Sequence, residues 1–130
     1  METRTINTRA LVVEDNQDFA RLLGDILEIH GCEVHIRHTG RAGLELARAL
    51  KPSIIFCDLN LGSMSGLDVA REMRQDPELS EIPLVAITGY VSDDDRSAAI
   101  AAGFNLVFPK PFRYADITRA LNTYTAGLLK

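Results

Sequence analysis

Apolar residues along this chain collect in short unbroken runs, separated by longer stretches in which they recur every three or four positions. Four of the runs, "ALVV" at 10–13, "IIFC" at 54–57, "LVAI" at 84–87 and "LVF" at 106–108, show no strict alternation with polar residues. Strands buried on both faces read this way. A fifth run, "EVHIRH" at 33–38, does alternate. That pattern suits a strand with one wetter face and places it at the border of a sheet.

The intervening stretches carry the helical period. Phe19, Leu22, Leu23, Ile26 and Leu27 predict a helix over 17–30 that stops at Gly31. Leu44, Ala47 and Leu50 mark a second helix ended by Pro52, and Leu67, Ala70 and Met73 a third ended near Pro77. Ser92 with Asp95 three residues on resembles a capping box for a fourth, closed by Gly103. The fifth starts at about Tyr114 and carries Ile117, Ala120, Leu121 and Tyr124. Asn16 and Asp18 read as caps of the first helix, and Asp93, Asp94 and Asp95 as a first turn favoured by the helix dipole.

Strand then helix, five times over, calls for a parallel sheet with helices on both faces and right-handed crossovers. The expected fold is therefore α/β, a flavodoxin-like (βα)5 doubly wound sheet in strand order 2-1-3-4-5, with the alternating second strand at one edge. With no repeat or linker to divide it, the chain is expected to be one domain over residues 1–130, the first eight or so loosely ordered.

Composition agrees and narrows the functions. In 130 residues, 46% hydrophobic and 25% charged side chains suffice for one core. The net charge of -4, with Lys and Arg scattered, offers no basic stripe for direct nucleic-acid binding. No apolar run approaches the roughly 20 residues of a membrane span. The opening "METRTINTRA" lacks the apolar stretch of a signal peptide, so a cytoplasmic location is expected. Cys32 and Cys57 form no CxxC motif and fall in or beside apolar stretches, which predicts buried free thiols.

In a sheet of this order ligands bind beyond the carboxyl ends of the strands, at the switch point between strands 1 and 3. Glu14 and Asp15 follow strand 1, and Asp58 follows strand 3 across that crevice. Thr88 follows strand 4, and Lys110 strand 5. Three neighbouring carboxylates raise one another's pKa unless a cation relieves them, and an oxygen-only donor set suits a hard ion such as Mg2+. With a hydroxyl and an ammonium added, these are the parts of a phosphoryl cradle in which an aspartate can act as nucleophile.

Taken singly, these residues have plainer roles: Asp58 a helix cap, Lys110 a solvated lysine, Thr88 a loop hydroxyl. Their convergence at strand ends is what points to a site. His35 and His38 face opposite sides of a strand, which argues against a shared metal, and both are expected at the surface together with His30. A flavin-phosphate binder would not place Glu14 and Asp15 where an anion docks. A phosphatase with an aspartyl intermediate wants a general acid two residues after the nucleophile, where this chain has Asn60.

"LVVEDN" at 11–16, "DLNLGSMSGLD" at 58–68, "ITGY" at 87–90 and "PKPF" at 109–112, in this order and spacing, resemble the receiver domains of two-component response regulators over nearly the whole chain. The resemblance implies a CheY-like switch in which Asp58 accepts a phosphoryl group from a histidine kinase or a histidine phosphotransfer protein. It implies Mg2+ held by Asp15, Asp58 and the Asn60 carbonyl, with Glu14 assisting through water. Lys110 and Thr88 are then expected on phosphoryl oxygens, and the Lys110-Pro111 bond is expected to be cis. It also implies a downstream partner on the face of the fourth helix, fifth strand and fifth helix, near Tyr90, Val107 and Tyr114. Such a switch is not a turnover enzyme; a receiver retained only as a docking module is the alternative. A stand-alone regulator, a relay intermediate and a receiver from a hybrid kinase all remain open.

The chain departs from the family pattern at Val107, where an aromatic or histidine is usual, and at Gly62, where many relatives have proline. The first removes the customary aromatic rotation coupled to Thr88. The second predicts a more mobile loop. Pro109 is expected to be tolerated because strand 5 is an edge.

Overall fold

A computed structural model describes residues 8–62, 64–89 and 92–125. Most of the stretch expected to be loosely ordered, and Tyr90, lie outside the described residues. Thr8, one residue before the first strand, is buried, and its carbonyl accepts the Glu33 N–H at 2.8 Å.

The elements alternate as β1 (Arg9–Val13), α1 (Gln17–Ile29), β2 (Glu33–Arg37), α2 (Gly40–Leu50), β3 (Ile54–Cys57), α3 (Gly66–Gln75), β4 (Leu84–Thr88), α4 (Asp93–Ala102), β5 (Leu106–Pro109) and α5 (Tyr114–Tyr124). All strand pairs are parallel and the order is β2-β1-β3-β4-β5. This is the flavodoxin-like arrangement predicted above.

The central strands feed two cores by period-two alternation. Leu11, Val13, Ile55, Cys57, Leu84 and Ala86 face α2, α3 and α4. Ala10, Val12, Ile54, Phe56, Val85 and Ile87 face α1 and α5. β2 is half-buried along most of its length, as an edge strand should be.

Local chemistry sets the helix ends. Side chains of Asn16, Thr39, Ser65 and Ser92 accept N–H bonds at the four helix starts they precede, and Ser92 and Asp95 form the reciprocal capping box. Gly31 and Gly103 take positive φ just past α1 and α4.

At the far edge, Lys110 N–H donates to Thr88 O at 2.8 Å, so the nitrogen of the preceding Pro109 points away from β4. Proline therefore removes no ladder bond. On the same outer edge, Arg96 Nη1 donates to Val107 O at 2.9 Å, which blunts the open strand.

One expectation is corrected. His30 is buried rather than at the surface, with Nδ1 2.9 Å from Ile26 O and Nε2 2.8 Å from Thr118 Oγ1. The Tyr114 ring covers it at 4.8 Å between centroids, and helical periodicity within α1 alone could not reveal a neighbour from α5.

Both cysteines are buried and free. Burial pushes the Cys32 thiol up to about 11 and lifts Cys57 further, with Asp58 and Glu14 adding to the effect. Because thiolate is the reactive form, the native protein should react with Ellman's reagent at pH 8 far more slowly than the chain in denaturant.

A second outcome concerns Gly66, where a Cβ would lie 2.3 Å from Asp58 O and 2.8 Å from Leu59 Cα. Backbone cannot yield as a flexible side chain can. Gly66→Ala should lower stability by about 1–3 kcal/mol, the range of overpacked sites, as read from urea unfolding.

Candidate functional site

The site forms where β1 and β3 end side by side. Glu14 leaves β1 with its N–H donating to Arg37 O at 3.0 Å and its carbonyl accepting from His38 Nδ1 at 2.8 Å, which fastens the turn to the end of β2. Asp58 N–H donates to Val13 O at 3.0 Å, continuing the β1–β3 ladder one residue past the strand. Both carboxylates are consequently buried, with side chains 3% and 7% exposed, whereas Asp15 is exposed.

Every oxygen of the buried pair has a partner. Lys110 Nζ lies 2.9 Å from Glu14 Oε1 and 3.0 Å from Asp58 Oδ2. Asn16 N–H donates to Glu14 Oε2 at 3.0 Å, and Asn60 N–H to Asp58 Oδ1 at 3.1 Å. Asn16 in turn caps α1 through its Oδ1, which accepts Phe19 N–H at 2.9 Å. One residue thus ties a site carboxylate to a helix start.

Burial pushes the Glu14 carboxyl above its ordinary value, although hydrogen bonds from Lys110 and Asn16 oppose it. For Lys110, burial works to lower the ammonium, but the bonds to Glu14 and Asp58 and their charges outweigh it and hold the group above its ordinary range. Lys110 is therefore a cation at neutral pH. The Lys110-Pro111 peptide is cis.

Oxygens of Glu14, Asp15 and Asp58 come within 4.8 Å of one another. Three formal negative charges face one ammonium, which leaves the cluster short of positive charge. A set of carboxylate oxygens, two buried and one open to solvent, fits a hard divalent cation that keeps part of its hydration shell. The residues present suit Mg2+.

Asn60 and Thr88 are brought to the same neighbourhood. With Leu59, Ser65, Leu67, Asp95 and Ala98 they line a cavity of about 300 Å³ between the β3–α3 loop and α4. Thr88 itself is 1% exposed. Gly62 lies in this loop at φ +76°, a conformation proline cannot adopt, so the loop follows a path that the proline of many relatives would exclude. His35 pairs with Glu33 at 2.7 Å and His38 with the Glu14 carbonyl, so the two do not converge.

Residues 10–122 match the response regulator receiver domain family. The chain belongs to that family, the receivers of two-component signalling. The polar-differentiation response regulator DivK of Brucella anthropi is 30% identical over 114 residues, covering 88% of this chain and 93% of that protein. The receiver domain of a sensor histidine kinase from Pseudomonas aeruginosa superposes with a TM-score of 0.84 at 26% identity, over 92% of this chain and 98% of that one. That structure holds a magnesium ion coordinated in its active site cleft. A response regulator from Chloroflexus aurantiacus shares the fold with a TM-score of 0.88 at 24% identity, over 93% of this chain and 99% of that one.

Some participants were not singled out from sequence. From sequence Asn16 reads only as a cap and His38 only as a surface group: the Asn16 N–H bond is set by how the Glu14 side chain folds back two residues on, and the His38 bond by how two loops meet. Phe19 was read as one of α1's apolar positions, yet its ring lies 4.3 Å from Lys110 Nζ. Its signal was there: it is the first apolar residue after the acidic pair, at the site end of α1.

Lys110→Met should cost about 3 kcal/mol at pH 7, since it leaves two buried carboxylates without their cation. The loss should shrink as pH falls through the carboxylate range. Glu14 has a raised native pKa, so its contribution to stability is fully present below its unfolded value and is lost as pH rises through the native one. Urea titrations of both proteins between pH 4 and 8 would show the convergence.

Proposed function

We propose that this receiver is a phospho-accepting switch in which Asp58 takes a phosphoryl group from a phosphohistidine. The observation that carries the reading is the buried Asp58 carboxylate, held by Lys110 Nζ at 3.0 Å and within reach of Glu14 and Asp15. A carboxylate oxygen of Asp58 attacks phosphorus; the P–N bond to the donor imidazole breaks, a P–O bond to Asp58 forms, and the imidazole leaves with the bonding pair. The product is an acyl phosphate.

Asp15, Asp58 and the Asn60 carbonyl would hold Mg2+, with Glu14 assisting through water. When bound, that ion supplies the positive charge that the phosphoryl oxygens need during transfer. Lys110 exchanges its bond to Asp58 for one to a phosphoryl oxygen. Thr88 donates its hydroxyl to another, and the change is read as a shift between two states of the domain. The group is later lost by slow hydrolysis, which makes the domain a signalling switch and not a turnover enzyme.

The donor is a histidine kinase or histidine phosphotransfer protein met in the cytoplasm, and a downstream protein reads the α4-β5-α5 face. Among the described residues no helix is long and apolar enough to cross a membrane. Val107 is 4% exposed, so it supports that face from beneath and offers a partner no surface of its own. Tyr114 is 53% exposed and Ile100 on α4 49% exposed.

The test is intact-protein mass after incubation with acetyl phosphate, and with a phosphorylated kinase donor, with and without Mg2+. The native chain should gain the mass of one HPO3 unit only with Mg2+, and Asp58→Asn should gain none. An unchanged native mass with both donors would leave a receiver fold that serves for docking alone, a use compatible with Val107 at the customary aromatic position.

A further inference from the structure

The Lys110 ammonium is held from more than the carboxylate side. Its Nζ binds Glu14 Oε1 and Asp58 Oδ2, and it also lies 4.3 Å from the centroid of the Phe19 ring. That distance is well inside the range over which an aromatic face attracts a cation. Lys110 is only 23% exposed in its side chain, so the attraction acts in partly water-free surroundings, where it is strengthened.

The ring is itself fixed. Phe112 meets Phe19 edge-on, with centroids 5.6 Å apart and planes at 83°. Phe19 N–H is bound by Asn16 Oδ1, and Asn16 N–H by Glu14 Oε2, so the ring belongs to the same hydrogen-bonded assembly as a carboxylate that Lys110 contacts. Phe112 follows Lys110 by two residues, so the lysine's own segment also braces the ring. A free lysine side chain samples many rotamers, and this frame removes much of that freedom before any phosphoryl group arrives.

We propose that Phe19 is a positioning residue for the phosphoryl-transfer chemistry, its π face keeping the Lys110 ammonium at the site while that group exchanges the Asp58 carboxylate for a phosphoryl oxygen. The inference rests on the phospho-acceptor reading above. Phe19 acts through Lys110, the cation its ring faces. A purely structural Phe19 would serve as well with any ring of the same shape.

The deciding experiment replaces Phe19 site-specifically with 4-fluoro-, 3,5-difluoro- and 3,4,5-trifluorophenylalanine, which drain the π face while nearly preserving shape, alongside Phe19→Tyr and Phe19→Leu. Initial rates of Asp58 phosphorylation by acetyl phosphate with Mg2+ are compared, with urea unfolding as a folding control. The expected result is a graded fall in rate with each fluorine at unchanged stability, a rate near native for Phe19→Tyr, and a loss of about 3- to 10-fold for Phe19→Leu. Equal rates along the fluorinated series, with the native chain phosphorylated, would overturn the role of Phe19 and leave the phospho-acceptor reading standing. A native chain that takes up no phosphoryl group overturns that reading and this role together.

In the same samples, the Lys110 ε-methylene protons should show an upfield ring-current shift that Phe19→Leu abolishes. A native protein without that shift would also overturn the proposal, whatever the phosphorylation rates.

Discussion

Two carboxylates buried at the end of a parallel sheet cannot stay ionised without a cation, and Lys110 supplies it by reaching both Glu14 Oε1 and Asp58 Oδ2 from the end of β5. The need propagates outward. Lys110 N–H must hold Thr88 O to fix where the lysine starts, and Glu14 must be fastened through Arg37 and His38 to fix where it ends. The remaining oxygens take the Asn16 and Asn60 N–H groups, each two residues past the carboxylate it binds. The exposed Asp15 then leaves an excess of negative charge facing solvent. The scaffold closes around one ammonium and stays electrostatically unfinished on the open side, where a hard cation fits.

The same arrangement explains why the surrounding backbone is crowded. Gly66 begins α3 with its α-carbon against the Asp58 carbonyl, so the loop carrying Asn60 must double back over the acceptor before the helix starts. Gly40 and Gly43 bring α2 close to Val69 and Val13, directly behind the site. Small residues at these contacts let helices approach strand ends closely, which keeps the carboxylates buried and their distances short.

Much of this was legible in the sequence because it depends on periodicity and order. Continuous apolar runs marked buried parallel strands, and the strand order then placed Glu14, Asp15, Asp58, Thr88 and Lys110 along one edge. Element ends followed from caps whose partners lie three residues away. Contacts between separate turns were not legible. His38 on the Glu14 carbonyl, His30 beneath Tyr114 and Phe19 against Lys110 each join segments far apart in sequence, and in each case the residue had a plausible local role that satisfied the pattern. Arg74 is the extreme case: on the helical pattern it is a polar position, yet it donates to the carbonyls of Ser80, Ile82 and Gly103 and to Asn105 Oδ1.

That arginine bears on how a small residue at position 107 is accommodated. The helix beside Thr88, α4, buries only Ala99 and Ala102. Two methyl groups provide little apolar area, so polar contacts hold much of the helix: Arg74 on the Gly103 carbonyl at its C-terminal end, and Arg96 reaching from its first turn to the Val107 carbonyl. A bulky aromatic at 107 would need space beneath α4 or at its edge, whereas valine packs into the core and leaves the strand carbonyl free to take the arginine. The helix is thereby tied to β5 through backbone and guanidinium instead of through a ring. Elements with few buried apolar contacts open at the lowest free energy. With the cavity lined by Thr88, Asp95 and Ala98 directly alongside, α4 rests on two buried methyl groups and on the hydrogen bonds of Arg74 and Arg96.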